Sequence, residues 1–244
     1  MNGINRWIER FKAYGQTMAI SLCPDYATKC GREFWSRSTQ THTDMSPDSF
    51  QRYYDHICAL VQPTSDQKIL DYACGGGQIS HLFRQDGYDI ACCDISPPLI
   101  EHARREFGLD CRPCDEVLAS DWKFDTIFML NAFFYIHPRR RRAFLRAIRR
   151  LLVDGGTFFI IDEPDYTKRH KLRDFGRMSR LLSAVSGVYQ VDKVGFFNRP
   201  WHTAAIARRA GFSEMEVSDS WTDYRSHFRL GTGRRPSPEV CGNT

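Results

Sequence analysis

An acid, a loop of small residues and a second acid are the groups of this chain best spaced to do chemistry. Lys68-Ile69-Leu70-Asp71-Tyr72 reads as a short buried strand, and Ala73-Cys74-Gly75-Gly76-Gly77 follows it before a helix that starts near Gln78. Three consecutive glycines weaken any helix or strand interior, because each loses more backbone entropy on ordering than any other residue. They fit a place where the backbone turns sharply or approaches another group closely. A strand, a glycine loop and a helix in that order put backbone N–H groups and a helix N-terminus beside a ligand. That is the arrangement of nucleotide-type sites at the carboxyl edge of a doubly wound sheet. Asp94 closes a second apolar run, 23 residues after Asp71.

The elements that must position these groups alternate. Ser46-Pro47-Asp48 starts a helix over 46–61: a capping serine, proline at the first helical position and an acid in the first turn. Strands are expected at 68–72, 89–94, 110–114, 124–131 and 157–161, with helices at 79–85, 97–107 and 139–152 between them. The run 124–131 is almost continuously apolar, as in a strand covered on both faces. Gly155-Gly156 is expected to end the 139–152 helix. This rhythm implies a parallel sheet with right-handed crossovers. A helix over 202–210 and an antiparallel pair, 214–218 with 224–230, complete the order.

Three segments depart from the rhythm. Residues 3–20 place Ile4, Trp7, Ile8, Phe11, Tyr14 and Met18 at helical spacing, which gives a packed lid, a dimer element or an amphipathic helix on a membrane surface. Residues 23–40 read as irregular, punctuated by Pro24 and Gly31. Residues 163–200 are too long for a plain connection and read as a substrate cap rich in aromatics. The expected organisation is an N-terminal helical or lid segment over 1–45, a domain over 46–230 carrying that cap, and a flexible tail over 231–244.

The bulk composition narrows the function classes. A chain of 244 residues with 42% hydrophobic and 26% charged residues suits one large globular domain. It contains no run of eighteen apolar residues, so no transmembrane helix is expected. It also lacks the apolar block and small-residue cleavage site of a secretory signal, and a cytoplasmic protein is expected. A net charge of +5 permits an anionic partner without demanding one. The nine cysteines are scattered, and reduced buried thiols are the expected reading, with no metal assigned and a zinc site as the alternative. Cys92 and Cys93 are adjacent in a strand and point to opposite faces. Cys111 and Cys114 form a lone Cys-x-x-Cys.

Several motifs in order carry a resemblance. They are Leu70-Asp71-x-Ala73-Cys74-Gly75-x-Gly77, Asp94 at the end of the second strand, Cys114-Asp115-Glu116, Phe124-Asp125-Thr126-Ile127, Arg149-Arg150-Leu151-Leu152-x-x-Gly155-Gly156-Thr157 and Ala210-Gly211-Phe212. Together they resemble the class I S-adenosylmethionine-dependent methyltransferases over roughly residues 46–230, with Ala73 in place of the first alternating glycine. The resemblance implies an α/β fold with a doubly wound, mostly parallel seven-stranded sheet, an N-terminal helical segment and a helical cap insertion. It implies S-adenosylmethionine as cofactor and S-adenosylhomocysteine as product. Backbone at Ala73, Gly75 and Gly77 would cradle the methionine part, with Asp71 near its ammonium. Asp94 would accept the ribose hydroxyls in charge-assisted hydrogen bonds, Ile95 would pack on the adenine and Asp115 would reach its amino group. Asn131 would lie beside the methionine moiety, and Arg37 would pair with its carboxylate. A dinucleotide is the competing ligand, but Gly75-x-Gly77-x-x-Ser80 matches that fingerprint only in part.

For methyl transfer the protein mainly supplies alignment and desolvation, and a hydroxyl acceptor also needs a base. Glu163, beside Asp162, and His137 are the first candidates, with His202 and His42 behind them. Each has a plainer role as a cap of a neighbouring segment. The expected reaction is O-methylation of a hydroxyl on a small molecule or glycan. The alternatives are N-methylation of an amine or RNA base, and a non-catalytic binding module. Arg139-Arg140-Arg141-Arg142, with Arg146, Arg149 and Arg150, is either a solvated helix or a site for an anionic partner. No RNA-binding module or aromatic ladder accompanies it, which weighs against nucleic acid.

Overall fold

The computed structural model describes residue 16 and residues 18–37, 46–171 and 195–233. The strands are β1 (Lys68–Tyr72), β2 (Asp89–Asp94), β3 (Cys111–Pro113), β4 (Phe124–Leu130), β5 (Leu152–Pro164), β6 (Glu214–Asp219) and β7 (Arg225–Gly231). The helices are α1 (Pro24–Arg37), α2 (Pro47–Val61), α3 (Gln78–Gln85), α4 (Pro97–Phe107), α5 (Cys114–Ala119), α6 (Arg141–Leu151) and α7 (Pro200–Ala210). The seven strands form one sheet in the order β3-β2-β1-β4-β5-β7-β6. β3 to β5 run parallel, and β7 pairs antiparallel with both β5 and β6. The doubly wound α/β sheet expected from the strand rhythm is therefore present.

Alternation along the central strands supplies both layers of the core. In β4, Ile127 and Met129 face one cluster, with Leu145, Ile148 and Ala207 from α6 and α7. Phe128 faces the other, with Tyr54 and Ile57 from α2 and Phe83 from α3. β5 repeats the pattern, Phe158 and Ile160 on the first side, Phe159 and Ile161 on the second. Strands covered on both faces read as unbroken apolar runs, and each such side chain contributes roughly 1.5–3 kcal/mol by leaving water.

Three expectations are corrected. Of the stretch 23–40 read as irregular, Pro24–Arg37 is helical: Pro24 opens α1, where its missing N–H costs nothing and its fixed φ favours the first turn. Gly31 sits mid-helix with open space around it. Gly155-Gly156 does not end α6, which stops at Leu151. The two glycines form a bulge in β5, between the Phe124–Leu152 and Thr126–Thr157 pairings, and a Cβ on Gly156 would lie 3.0 Å from the Asp125 carbonyl. Gly231 belongs to β7 rather than to a tail. Of the N-terminal apolar stripe only Met18 falls among the described residues. The cap interior (172–194) and the tail from 234 lie outside them.

Of the arginine run only Arg141 is buried, and several of the others reach intramolecular partners from the surface. Arg141 is buried and donates to the carbonyls of Ile136, Phe196 and Phe197 at 3.1, 3.1 and 3.4 Å. Arg149 donates to Gly211 O at 2.8 Å and Arg150 to Ser120 O at 2.9 Å. Arg139 reaches Leu22 O at 3.2 Å, and Arg140 pairs with Asp25. Arg139, Arg141, Arg149 and Arg150 thus donate to backbone carbonyls, and Arg140 to a carboxylate.

Candidate active site

A cavity of about 630 Å³ opens at the carboxyl edge of β1, β2 and β4, within the size of small-ligand sites. Its floor is the glycine loop. Ala73, Gly75 and Gly77 alternate in the left-handed region, with φ of 66°, 59° and 85°. Ala73 bears a Cβ there at a cost of roughly 1–2 kcal/mol. Ala73, Gly75 and Gly76 line the cavity, whereas Gly77 does not. A Cβ on Gly77 would meet Ala103 Cβ and Leu109 Cδ1 at 2.8 Å, so this glycine lets α4 and the turn after it pack against the loop.

Two carboxylates flank the loop. Asp71 is buried and accepts from the Ser80 hydroxyl at 2.7 Å; burial pushes its carboxyl up to about 8. Asp94 accepts the N–H of Gly75 and of Ser96, both at 2.9 Å. Burial raises Asp94 to about 6, against the pull of those backbone donors. A carboxylate has four lone-pair sites, so Asp94 keeps acceptor capacity beyond these two bonds. Ile95 and Leu99 line the cavity beside it. Two buried carboxyls at the loop and an apolar wall suit a ligand that carries a cation, hydroxyls and a flat apolar ring.

The roof is α1. Ala27, Thr28, Gly31, Arg32 and Trp35 line the cavity at helical spacing. Trp35 meets Tyr135 edge-on, centroids 4.9 Å apart, and its carbonyl accepts from Ser96 Oγ at 3.3 Å. Arg37, expected at the cofactor, is exposed at the end of α1 and does not line the cavity; Arg32, one and a half turns back, does. Reading 23–40 as irregular hid this stripe, although the spacing was present in the sequence. Asp115 is exposed on α5 and also stands outside the lining, while its neighbour Cys114 is part of it.

Asn131 ends β4 with φ 52° and lines the cavity. Its Oδ1 accepts from Arg225, which also donates to Asp162 O at 2.6 Å, so the amide orientation is fixed from β7. Sequence reading gave no signal for Arg225, since the contact spans 94 residues.

The two candidate bases sit differently. Glu163 is fully buried and outside the lining. Its carboxylate accepts from Phe133 N and Asn198 Nδ2, each at 2.9 Å. Burial pushes it up to about 8, with Arg141 and Arg225 opposing. His137 does line the cavity. Its Nδ1 accepts from Arg139 N at 3.2 Å, which leaves Nε2 to donate to Ser21 O at 3.1 Å. Burial holds the imidazole below its ordinary value, so it is neutral at pH 7. His202, at the start of α7, is absent from the lining, and His42 lies outside the described residues.

Known proteins share this arrangement. A methyltransferase-domain family matches residues 69–156. The ubiquinone biosynthesis O-methyltransferase of Xylella fastidiosa is 28% identical over 185 residues, covering 72% of this chain and 73% of the relative. The malonyl-[acyl-carrier protein] O-methyltransferase of Erwinia pyrifoliae is 28% identical over 124 residues, 50% of this chain and 45% of the relative. Among solved structures, Burkholderia thailandensis 1,6-didemethyltoxoflavin-N1-methyltransferase, with bound 1,6-didemethyltoxoflavin and S-adenosylhomocysteine, matches in fold. The TM-score is 0.59 at 17% identity, over 87% of this chain and 91% of that one. With the loop, the paired acids and the strand order in place, the chain belongs to the class I S-adenosylmethionine-dependent methyltransferases, and S-adenosylmethionine is its cofactor.

Proposed function

We propose that this enzyme methylates a hydroxyl oxygen on a ring-bearing small molecule or glycan. The observation that carries the reading is the cavity wall beyond the glycine loop. Phe50 and Tyr53 from α2, Trp35 from α1, Tyr135 and Phe144 make it broad and aromatic, with few charges. Such a wall suits a flat or ring-bearing acceptor and excludes water from the transfer. The curated relatives named above act on oxygen, which supports the choice of atom.

The cofactor supplies the activated methyl group on its sulfonium. In this reading Asp71 meets the cofactor ammonium, and Asp94 accepts the ribose hydroxyls. Backbone at Ala73, Gly75 and Gly76 follows the methionine part. Ile95 packs on the adenine, Asn131 lies near the methionine moiety, and Arg32 takes the carboxylate role expected of Arg37. His137 is the imidazole of the lining and the base for the acceptor proton. To take that proton its Nδ1 must release the Arg139 N–H. Glu163 acts as a positioning residue, holding Phe133 and Asn198 together behind the acceptor wall. Among the described residues, no helix is long and apolar enough to cross a membrane.

The test is a panel of phenols, sugar hydroxyls, carboxylic acids and amines, incubated with the purified chain and methyl-labelled cofactor, with products identified by mass spectrometry. A methyl ether from a hydroxyl acceptor is the expected result. Transfer confined to amines or carboxylic acids would overturn the reading. In the same assay His137→Asn should lower kcat by roughly a hundredfold, the usual scale of a lost general base.

A further inference from the structure

Cys74, Cys92 and Cys111 bring their Sγ atoms within 4.8 Å of one another, with Cys74 and Cys111 3.5 Å apart. The sheet builds this cluster. Cys92 and Cys111 are direct partners across the parallel β2–β3 pair. Cys74 follows β1, and its N–H donates to Cys93 O at 2.9 Å, which pins it beside β2. Cys92 and Cys111 pack with Ile100, Ala103 and Leu109, and Cys74 leans on the same group. Cys93 and Cys114 belong to the core on the other face and form a separate pair at 3.6 Å. The Cys-x-x-Cys of the sequence is thus divided: Cys111 joins one cluster and Cys114 the other.

We propose that Cys74, Cys92 and Cys111 bind one thiophilic d10 metal ion per chain. With metal–sulfur bonds of about 2.3 Å, ligand sulfurs stand about 3.8 Å apart around a tetrahedral ion and about 4.0 Å apart around a trigonal one. The observed spacing brackets both, so closure asks for small side-chain shifts only. Soft thiolates select Cu(I) and Zn²⁺ over hard cations. Cys92 and Cys111 come from paired strands, and Cys74 comes from the glycine loop at a point pinned to β2 by its backbone, so the three thiols stand together without a ligand. The nearby Ser80 hydroxyl is committed to Asp71, and the carboxyls of Asp71, Asp94 and Asp110 lie close enough to act on Cys92 or Cys111, beside the apolar packing of Ile100, Ala103 and Leu109. As each metal–sulfur bond forms, its thiol releases a proton to solvent, and sulfur and metal keep their oxidation states. Affinity therefore rises with pH. Because Cys74 sits between Ala73 and Gly75, the ion would also anchor the glycine loop, but its presence does not depend on the acceptor proposed above.

The test uses the full chain, reduced and stripped of metal, titrated separately with Cd²⁺ and with Cu(I) under a non-thiol reductant. Sulfur-to-cadmium charge-transfer absorbance should saturate at one equivalent in the wild type and in Cys93→Ala. Cys92→Ala and Cys111→Ala should each weaken binding of both ions at least tenfold. Circular dichroism and S-adenosylhomocysteine titration would report whether each variant is folded. X-ray absorption on the wild-type copper complex needs no variant and should show three sulfurs near the bonded distance. Absence of a saturating transition, binding untouched in Cys92→Ala, or a copper shell without three sulfurs would overturn the site.

Discussion

The floor of the cavity holds its polar groups through neighbours within 19 positions, and the roof holds them through residues 61 to 117 positions away. Asp94 binds Ser96 and Gly75 across separations of 2 and 19 residues, and Asp71 binds Ser80 across 9. The roof depends on His137 to Ser21, Arg139 to Leu22 and Arg140 to Thr28, across 116, 117 and 112. Closing the longer loops costs more chain entropy, and two of these three ties are made by exposed arginines. The floor is therefore a rigid, preformed surface, and the roof belongs to the low-stability end of the molecule, from which lids are drawn. Cofactor affinity should follow the floor and Arg32, and acceptor affinity the rest of the roof.

The largest expected effect lies at the junction of the two walls. Glu163→Ala leaves Phe133 N and Asn198 Nδ2 without their acceptor and Arg141 buried without its nearest carboxylate. Breaking such a buried arrangement costs roughly 3–5 kcal/mol, which at this chain length lowers Tm by about 10 °C. Thermal unfolding reads it directly. Glu163→Gln keeps one acceptor and should hold kcat within a few-fold. A Glu163→Gln protein with unchanged Tm and a kcat lowered a hundredfold would return this residue to the role of base. On the floor, Asp94→Ala should weaken S-adenosylhomocysteine binding by roughly a hundredfold, the worth of two hydrogen bonds to an ionised acceptor. Calorimetric titration checks this, and unchanged affinity would remove the ribose role.

The same division sets what the chain discloses before it is folded. The succession of strands and helices and the glycine loop were legible, because apolar runs and a small-residue run are local patterns. α1 was missed because Pro24 and Gly31 were weighed as breakers, yet proline at a first helical position starts a helix, and one glycine in open space only weakens it. Glu163 was expected beside the acceptor from its place after a strand. The β5 bulge, with Asp162 at φ 61°, accompanies its turn into the interior instead. No local pattern marks Arg225, Arg141 or Asn198, whose partners lie 94, 56 and 35 residues away.

The floor carries its own pH signature. Burial raises Asp71 to about 8 and Asp94 to about 6. Both are acids whose folded values exceed the unfolded ones, so the folded free protein holds more protons. Their contribution to stability accordingly falls as pH rises through those windows. In the roles proposed for Asp71 and Asp94, ligand binding favours both ionised forms. Affinity for S-adenosylhomocysteine should therefore rise up to tenfold per pH unit between about 6 and about 8, as Asp71 gives up its proton, at 1.36 kcal/mol per unit. Below about 6 the dependence should steepen as Asp94 also protonates. Titration across pH 5 to 9 tests the pattern, and Asp94→Asn should abolish only the steep lower limb. A flat profile would mean that neither acid changes charge on binding.

The smallest effect separates the walls most cleanly. Arg140 lines the cavity and reaches across to Asp25 and Thr28 on α1, but the Arg140–Asp25 pair is exposed on both sides. Exposed pairs contribute at most about 1 kcal/mol, so Arg140→Ala should shift Tm by no more than a few degrees. If the roof governs acceptor binding alone, the acceptor KM should rise about three- to fivefold, while cofactor affinity changes by less than twofold. Asp25→Ala should give a similar rise, and the double variant less than the product of the two, because the residues share one contact. Equal losses of cofactor and acceptor affinity in Arg140→Ala would show that α1 closes on both ligands together, and the cavity would then have one mechanical unit instead of two.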